Sequence, residues 1–406
     1  MYQELRRESN RVRDDVVDFA QELVRIPSVS LAEGQLATRV EEALLELGYH
    51  LVTRDDYGNV IGVLLKDHTR PTVLLNAHMD TVAPGVDWSR KPFAGTIEDD
   101  GRLYGLGASD CKGGLAAQLY AGHLLATSLL PLHGNLVFAA TVAEENGGSV
   151  GLRHLLERTL PQLELEPGFA ILGEPTALDL CYGHDGWAEA EISIISDSAP
   201  RVAHAIDVIR RGIYGIDTRR DAPTAPVFSV RAPDAGGTHA GRQAVVRVMR
   251  RLLPGESAAN FIQWVRRRAA EAQSVAAVEL AVHPHEEVQR LYTGATSRVR
   301  FGSEAWTTDP FDPRVDQASE ALCAAGCSPE LRHWRLDRLG MGTAGATLVH
   351  HHVPTVGFGP GEEAQAHRSD ESLDLGRLVE AVYATAVMAY SFIGAPVFPR
   401  SRREAA

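Results

Sequence analysis

Five short segments of the sequence carry the imidazole and carboxylate side chains that bind divalent metal ions in proteins. They are His78 with Asp80, Asp110, the pair Glu144 and Glu145, Glu174, and His367. Mixed imidazole and carboxylate ligands suit zinc and its first-row neighbours. One histidine with two carboxylates gives each ion three ligands if one carboxylate bridges, and two metals about 3.5–4 Å apart can polarise a carbonyl. We therefore expect two Zn²⁺ per chain, with Co²⁺ or Mn²⁺ as alternatives.

The segment around His78 could supply both a metal ligand and the group that orients it. A short apolar run, residues 72–75, predicts a buried strand that ends near His78. Extended backbone repeats every two residues, so the side chains of His78 and Asp80 point the same way. Because a metal-ligating histidine usually donates its other ring N–H to a carboxylate, we expect Asp80 to orient His78.

The acidic pair Glu144 and Glu145 follows another apolar run. Adjacent side chains on extended backbone point to opposite sides. One carboxylate could therefore bind a metal while its neighbour faces the attacking water as a base. Alone, such a pair is usually a solvated loop; here it stands among four other candidate segments.

Hydrophobic patterns predict alternating helices and strands in most of the chain. Strands are predicted near residues 72–77, 136–142, 169–172 and 355–358, with helices near 11–25, 34–47, 113–130, 313–325 and 372–392. This alternation predicts an α/β fold with a mixed, largely parallel sheet, in which ligand sites form beyond the carboxyl ends of strands. The pattern changes after Gly186. We predict a metal-binding domain of residues 1–183 and 295–406, with residues 184–294 inserted as a smaller α+β domain.

Composition and charge exclude several classes of function. The 406 residues suggest two domains, and 44% hydrophobic with 23% charged residues is an ordinary globular composition. A net charge of −13 argues against nucleic acid or an anionic membrane surface as the main partner. No apolar run reaches membrane-spanning length, and the charged N-terminus lacks an apolar signal core, so we expect a cytoplasmic protein.

The ordered set of five segments resembles the dizinc metallopeptidases, the family that includes acetylornithine deacetylase, succinyl-diaminopimelate desuccinylase, aminoacylase and the glutamate carboxypeptidases. The resemblance covers nearly the whole chain. Within the family, the chain looks most similar to the uncharacterised hydrolases linked to selenium metabolism, through DDYGNVIG at 55–62, YGLGASD at 104–110 and LYTG at 291–294. The resemblance implies a dizinc exopeptidase-like catalytic domain and an inserted lid through which a homodimer forms.

The resemblance also implies a role for each candidate residue. Asp110 would bridge the metals, with His78 and Glu174 on one ion, Glu145 and His367 on the other, Glu144 as general base and Asp80 supporting the ligands. Arg251 matches the lid arginine that grips a substrate carboxylate, and Gly342 and Thr343 lie in a loop, GTAG at 342–345, that lines the substrate pocket. The implied reaction is hydrolysis of an amide bond in a small N-acyl amino acid, dipeptide or related carboxylate.

The chain departs from the family pattern in the lid. Where the family carries a histidine that supports the oxyanion in the partner's site, this chain has Ser196, and about four residues before it are missing. The lid asparagine that usually helps to hold the substrate also has no clear match. Loss of one oxyanion donor typically costs about 10²–10³ in rate. His204 and His239 are the candidate substitutes, and we expect weak activity on ordinary acetyl- or succinyl-amino acids.

Two alternatives remain open at this point. Residues 147–151 fit Gly-x-Ser-x-Gly, the pattern of a serine-hydrolase nucleophile, with Ser149 as nucleophile. That reading leaves the five metal-type segments unexplained. With the lid histidine absent, the chain could instead be a metal-containing binding protein or a non-hydrolytic dizinc enzyme.

Overall fold

The computed structural model describes residues 1–215, 226–231, 242–334 and 340–394. Its α-helices within these ranges are α1 Tyr2–Arg11, α2 Arg13–Arg25, α3 Gly34–Glu46, α4 Gly113–Thr127, α5 Val150–His154, α6 Leu160–Gln162, α7 Ala199–Tyr214, α8 Ala258–Val275, α9 Pro313–Ala324, α10 Gly345–His350 and α11 Leu375–Ile393. Among the helices of the described ranges, none has the length and apolar character needed to cross a bilayer.

The strands form one large sheet, a lid sheet and two small sheets. In chain order they are β1 Leu51–Arg54, β2 Val60–Leu64, β3 Thr72–His78, β4 Thr96–Ile97, β5 Arg102–Tyr104, β6 Asn135–Thr141, β7 Pro167–Leu172, β8 Leu180–His184, β9 Gly186–Ile195, β10 Val227–Arg231, β11 Gln243–Leu252, β12 Glu279–Pro284, β13 Glu286–Arg290, β14 Thr296–Arg300, β15 Gly302–Ser303, β16 Trp306–Thr307, β17 Leu331–Trp334, β18 Thr355–Gly357 and β19 Ser372–Asp374.

The large sheet has the order β1-β2-β6-β3-β7-β18-β8-β16, with β17 paired to β8. Its centre is parallel, because β3 pairs in parallel with both β6 and β7, and β7 does so with β18. All residues of β3 and β6 are buried, as expected for strands with a covered layer on each face. The predicted α/β class with a mixed, largely parallel sheet is confirmed.

Two helices that are apolar on nearly every side form the core beneath the sheet. In α4, 12 residues are buried, and α11 buries 12 as well. These two helices pack against each other and contact β3 and β6. At about 25 cal/mol per Å² of apolar surface, this burial is the main stabilisation of the platform that carries the site.

The segment predicted as an inserted domain has its own sheet, of order β10-β11-β9-β12, with β15 added to β9. A separate apolar core between this sheet and helices α7 and α8 is built from residues between Ala188 and Val282. This core lies within the predicted insertion, 184–294. In contrast, Leu291 belongs to the core of the large domain.

Two local elements differ from the sequence predictions. The helix predicted from residue 372 begins at Leu375, because Ser372–Asp374 pairs with β5 as strand β19. The stretch 83–109, for which no helix or strand was predicted, contains the short strands β4 and β5. Two- and three-residue strands show too little alternation to be predicted from periodicity.

Candidate metal centre and active site

Three of the candidate segments meet because their strands are parallel neighbours. His78 is the last residue of β3, Glu144 and Glu145 follow β6, and Glu174 follows β7. Since β3 lies between β6 and β7, the carboxyl ends of all three strands reach the same edge of the sheet.

Asp110 stands between the two candidate metal positions. It lies in the turn Ala108–Lys112 that leads into α4, and its own backbone is extended (φ −125°, ψ 94°). Its Oδ1 is 3.3 Å from Nε2 of His78, and its Oδ2 is 3.5 Å from Nε2 of His367. Each carboxylate oxygen therefore faces a different histidine, which is the arrangement that a bridging ligand requires.

The structure contains two groups of possible metal ligands, and Asp110 belongs to both. Within each group, the ligand atoms all lie within 4.8 Å of one another. One group contains His78, Asp110, Cys111 and Glu174; the other contains Asp110, Glu145 and His367. The structure thus brings together all five residues that the sequence analysis named as ligands. Nε2 of His367 is 2.8 Å from Oε2 of Glu145. Glu144 belongs to neither group.

The electrostatics of these groups fit divalent cations. Burial raises the pKa of Glu174 to about 8. Burial opposes the charged form of His367, but its hydrogen bond to Glu145 raises its pKa to about 9. Among the described residues, no lysine or arginine forms an ion pair with Asp110, Glu145 or Glu174. These carboxylates and the imidazole therefore favour bound protons, which divalent ions could displace. The mixture of imidazole and carboxylate ligands suits zinc.

Glu144 is half-buried beside the ligands rather than among them. Burial raises its pKa well above the usual range for a carboxyl, with the charges of Glu174 and Glu145 acting in the same direction and that of His78 opposing them. A raised pKa brings a carboxyl group toward the value at which it can both accept and return a proton near neutral pH.

Cys111 belongs to the first ligand group, and its sulfur atom forms a hydrogen bond with the backbone of His78. Its Sγ accepts the backbone N–H of His78 at 3.3 Å. Burial raises the pKa of its thiol to about 12. The thiol of Cys111 therefore helps to hold the backbone of the strand end that carries His78.

Asp80 lies beside His78, as expected, but makes different hydrogen bonds from those the sequence suggested. Nδ1 of His78 is 2.9 Å from the backbone carbonyl oxygen of Asp80, whereas the carboxylate Oδ1 is 3.6 Å away. The carboxylate accepts the backbone N–H groups of Glu144 and Glu145, each at 3.0 Å. The carbonyl therefore orients the imidazole, and the carboxylate holds the acidic pair.

Sequence reasoning missed Glu371 as a supporting residue, although it lies only four residues after His367. The buried Glu371 carboxylate accepts the backbone N–H groups of Gly107, Ser109 and Asp110 at 2.8–2.9 Å. Burial raises the pKa of Glu371 to about 8. Glu371 thus fixes the turn that presents Asp110. The available signal was its position near His367, but nothing local indicated three backbone donors.

The predicted substrate loop is fixed by His184, the second residue that sequence reasoning missed. Nε2 of this buried imidazole accepts the backbone N–H of Thr343 at 2.9 Å, and the Thr343 hydroxyl lies at the same distance. Nδ1 faces the carbonyl oxygen of Asp185 at 2.6 Å. Burial lowers the pKa of His184 to about 4, so its imidazole is neutral. Gly342 leaves no room for a Cβ, which would lie 2.7 Å from Cβ of Ser303.

Arg251, the predicted carboxylate-binding residue, lies near this loop. Its Nη1 is 3.6 Å from Oδ2 of Asp185, and its positive charge lowers the pKa of His184. The side chain is 12% exposed, and its Nε is buried.

Among the described residues, the remaining candidates Ser196, His204 and Ser149 belong to neither metal group. Ser196 follows β9, and its hydroxyl donates to Asp197. His204 is exposed on α7. His239 lies outside the described residues. Ser149 is 6% exposed in a left-handed conformation (φ 41°), and within the described part of the chain no histidine hydrogen-bonds its hydroxyl. The base that a serine nucleophile needs is thus not in contact.

Comparisons with known proteins agree with this architecture. The family described as "Peptidase family M20/M25/M40" matches residues 74–391. The chain is 26% identical to "Uncharacterized protein YgeY" from Escherichia coli K12, over 91% of this chain and 93% of that protein. It is 29% identical to "Putative [LysW]-lysine/[LysW]-ornithine hydrolase" from Pyrobaculum aerophilum, over 91% and 95% of the two chains.

Solved structures share the fold at low sequence identity. Human carnosine dipeptidase 1 superposes with a TM-score of 0.71 at 17% identity, covering 97% of this chain and 99% of the other. Bacillus subtilis YXEP, titled a dinuclear metal binding peptidase, superposes with a TM-score of 0.66 at 17% identity, covering 94% and 98%.

Proposed function

The chain belongs to peptidase family M20/M25/M40, and we propose that it hydrolyses an amide bond in a small N-acyl amino acid, dipeptide or related carboxylate with two bound divalent ions. One observation carries the proposal. Asp110 directs one oxygen toward His78 and the other toward His367, so one carboxylate is shared by two ligand groups. A shared carboxylate of this kind serves two ions that act on one substrate.

His78, Asp110 and Glu174 would hold one ion, and Asp110, Glu145 and His367 the other. When bound, the two ions supply Lewis acidity, which polarises the amide carbonyl and acidifies water. Glu144 removes the proton from the attacking water and returns it to the leaving nitrogen as the carbon–nitrogen bond breaks.

The substrate class follows from the groups beyond the ligands. Arg251 offers a guanidinium near the loop 342–345, and a guanidinium suits a carboxylate. The printed names support this class, because one relative is named as a putative hydrolase of LysW-lysine or LysW-ornithine and a protein of the same fold is named as a dipeptidase. We propose zinc as the ion, since a histidine with two carboxylates is a common zinc set. We further propose a cytoplasmic homodimer formed through the lid.

A combined metal and substrate experiment tests this function. Metal-stripped protein, and the same protein reloaded with zinc, is offered a panel of N-acetyl and N-succinyl amino acids and dipeptides. We expect turnover only after reloading, and none from a reloaded Glu144→Gln variant. Turnover that survives complete removal of metal, or that a serine-directed phosphonate abolishes, would contradict the proposal.

The lid favours a second candidate function, that of a metal-containing binding protein or a non-hydrolytic dizinc enzyme. Ser196 stands where the family has its trans-acting histidine, and a neutral hydroxyl supports an oxyanion poorly. Single-turnover rates of wild type, His204→Ala and His239→Ala on the best amide separate the cases. A large loss in either variant identifies a substitute donor, whereas substrate binding without turnover in wild type favours the second candidate.

A further inference from the structure

Four consecutive backbone N–H groups lead into and through the acidic pair, and each donates to a side-chain oxygen from a distant part of the chain. The pairs are Val142 with Oδ1 of Asn59 at 3.1 Å, Ala143 with Oε1 of Glu33 at 3.1 Å, and Glu144 and Glu145 with the two carboxylate oxygens of Asp80 at 3.0 Å. Glu33 belongs to neither metal group, and the proposed reaction gives it no role.

Ala143 is the residue at which this segment turns. Its φ is 52°, in the left-handed region that residues with a Cβ seldom adopt. Such a conformation persists only when the surroundings impose it. The hydrogen bond from the N–H of Ala143 to Glu33 restrains this conformation. Ala143 directly precedes Glu144, the proposed base.

Glu33 is fully buried at the start of α3, yet it does not cap that helix with its side chain. Its Oε1 accepts the N–H groups of Leu31 and Ala143. Its Oε2 is buried and has no hydrogen-bond partner in the described structure. Burial raises the pKa of Glu33 to about 7, with the charge of Asp80 adding to the rise. A half-satisfied buried carboxyl destabilises the fold, so its position calls for a role other than stability.

We propose that Glu33 is a positioning residue for hydrolysis: by holding the Ala143 N–H, it fixes the turn that aims Glu144 at the reacting water. The role assigned to Glu144 comes from the proposed function, while the link from Glu33 to the turn is geometric. Loss of Glu33 leaves in place both hydrogen bonds that Glu144 and Glu145 donate to Asp80, so Glu145 keeps its metal while Glu144 loses its exact aim.

Matched variants of Glu33 test the kinetic part. Glu33→Gln keeps an oxygen acceptor and the volume, whereas Glu33→Met keeps the volume alone. With two zinc ions retained, we expect Glu33→Met to lower kcat about 10–100-fold with KM within about twofold, since small misplacement of a catalytic group has effects of this size. Glu33→Gln should stay within about threefold of wild type. Equal loss in both variants, or none in Glu33→Met, overturns the proposal.

A control variant separates positioning from general damage. Glu380 pairs with Arg6 between α11 and α1, away from the acidic pair. Glu380→Met should lower stability with kcat unchanged within about twofold. Should Glu33→Met not fold, Glu33→Asp retains the charge but withdraws the acceptor by one methylene, and a severalfold loss of kcat with zinc retained is then expected. An unchanged kcat in Glu33→Asp would overturn the proposal.

Amide hydrogen exchange provides a readout that does not need turnover. Exchange of the Ala143 amide, whose acceptor is Glu33, should be about tenfold faster in zinc-loaded Glu33→Met than in wild type, and close to wild type in Glu33→Gln. Unchanged exchange in Glu33→Met overturns the positioning role. If wild type hydrolyses nothing on the panel while exchange responds as expected, the proposed function fails and the structural role of Glu33 stands.

Discussion

The carboxylate of Asp80 accepts the backbone N–H of Glu144, with 3.0 Å between Oδ1 and the nitrogen. Its Oδ2 accepts the N–H of Glu145 at 3.0 Å and the hydroxyl of Ser30 at 2.7 Å. The aspartate therefore acts on the acidic pair through two backbone groups, while its carbonyl oxygen faces the ring of His78.

Replacement of Asp80 by asparagine should disturb this arrangement without removing the ligand His78. The amide presents one acceptor oxygen, and its NH₂ group would face a second N–H donor, so one backbone hydrogen bond is lost. We expect Asp80→Asn to lower kcat about 100-fold while the zinc content stays at or above one ion per chain. Steady-state kinetics and elemental analysis measure both, with Ser30→Ala as a milder control. Full activity in Asp80→Asn would contradict this role.

The metal stoichiometry should depend on Asp110 more than on any other ligand. Because both ligand groups share Asp110, Asp110→Ala should lose both ions, whereas Glu174→Ala and His367→Ala should each lose one. Elemental analysis after loading with excess zinc gives the counts. His204→Ala, an exposed histidine on α7, should retain two. A wild-type count that never exceeds one would end the dinuclear assignment.

Alanine variants of Glu144 and Glu145 should have different effects on metal content and turnover. Glu145 contacts His367, whereas Glu144 belongs to neither ligand group. We expect Glu144→Ala to keep two ions and lose about 10²–10⁴-fold in kcat, and Glu145→Ala to lose an ion. Zinc content and turnover measured on the same preparations decide it; equal metal loss in both variants would show the roles to be wrongly divided.

Arg251 should affect substrates that carry a carboxylate and leave amide-capped ones unaffected. Arg251→Ala should raise KM about 10–100-fold for an N-acyl amino acid, since a charge-assisted pair is lost, with little change for the capped analogue. The neighbouring Arg250, which pairs with Glu256, provides the control Arg250→Ala. An equal change in KM for both substrates in Arg251→Ala would mean that Arg251 does not bind the substrate carboxylate.

Protonation of His184 should lower the free energy of unfolding at acidic pH. Its pKa is about 4 when folded and near 6.5 when unfolded, so the unfolded chain binds the proton first. Stability contributed by the neutral imidazole is present above about pH 6.5 and is lost as the pH falls toward 4, up to about 3 kcal/mol. His184→Gln, which keeps an acceptor for Thr343, should show a weaker fall in urea denaturation between pH 7 and pH 5. An unchanged pH dependence would refute this.

The amino-acid sequence was sufficient for the fold class and the ligand types. Apolar runs marked β3, β6 and β7, and polar residues directly after them marked the edge of the sheet. Because neighbouring parallel strands end at one edge, residues as distant as His78, Glu145 and Glu174 could be assigned to one site from local patterns. The resemblance to dizinc peptidases then supplied roles, and the family match agrees with it.

Only the tertiary structure decided how the supporting side chains are used. Nothing near Glu33, Asp80 or His184 in the sequence says which backbone N–H each would meet, since the donors lie at Ala143, Glu144 and Thr343. Such pairs form when loops from separate elements are brought together, and a buried N–H must find an acceptor wherever packing places it. Periodicity predicts which face of a strand or helix is buried; the partners of loop backbone groups depend on the complete packing of the chain.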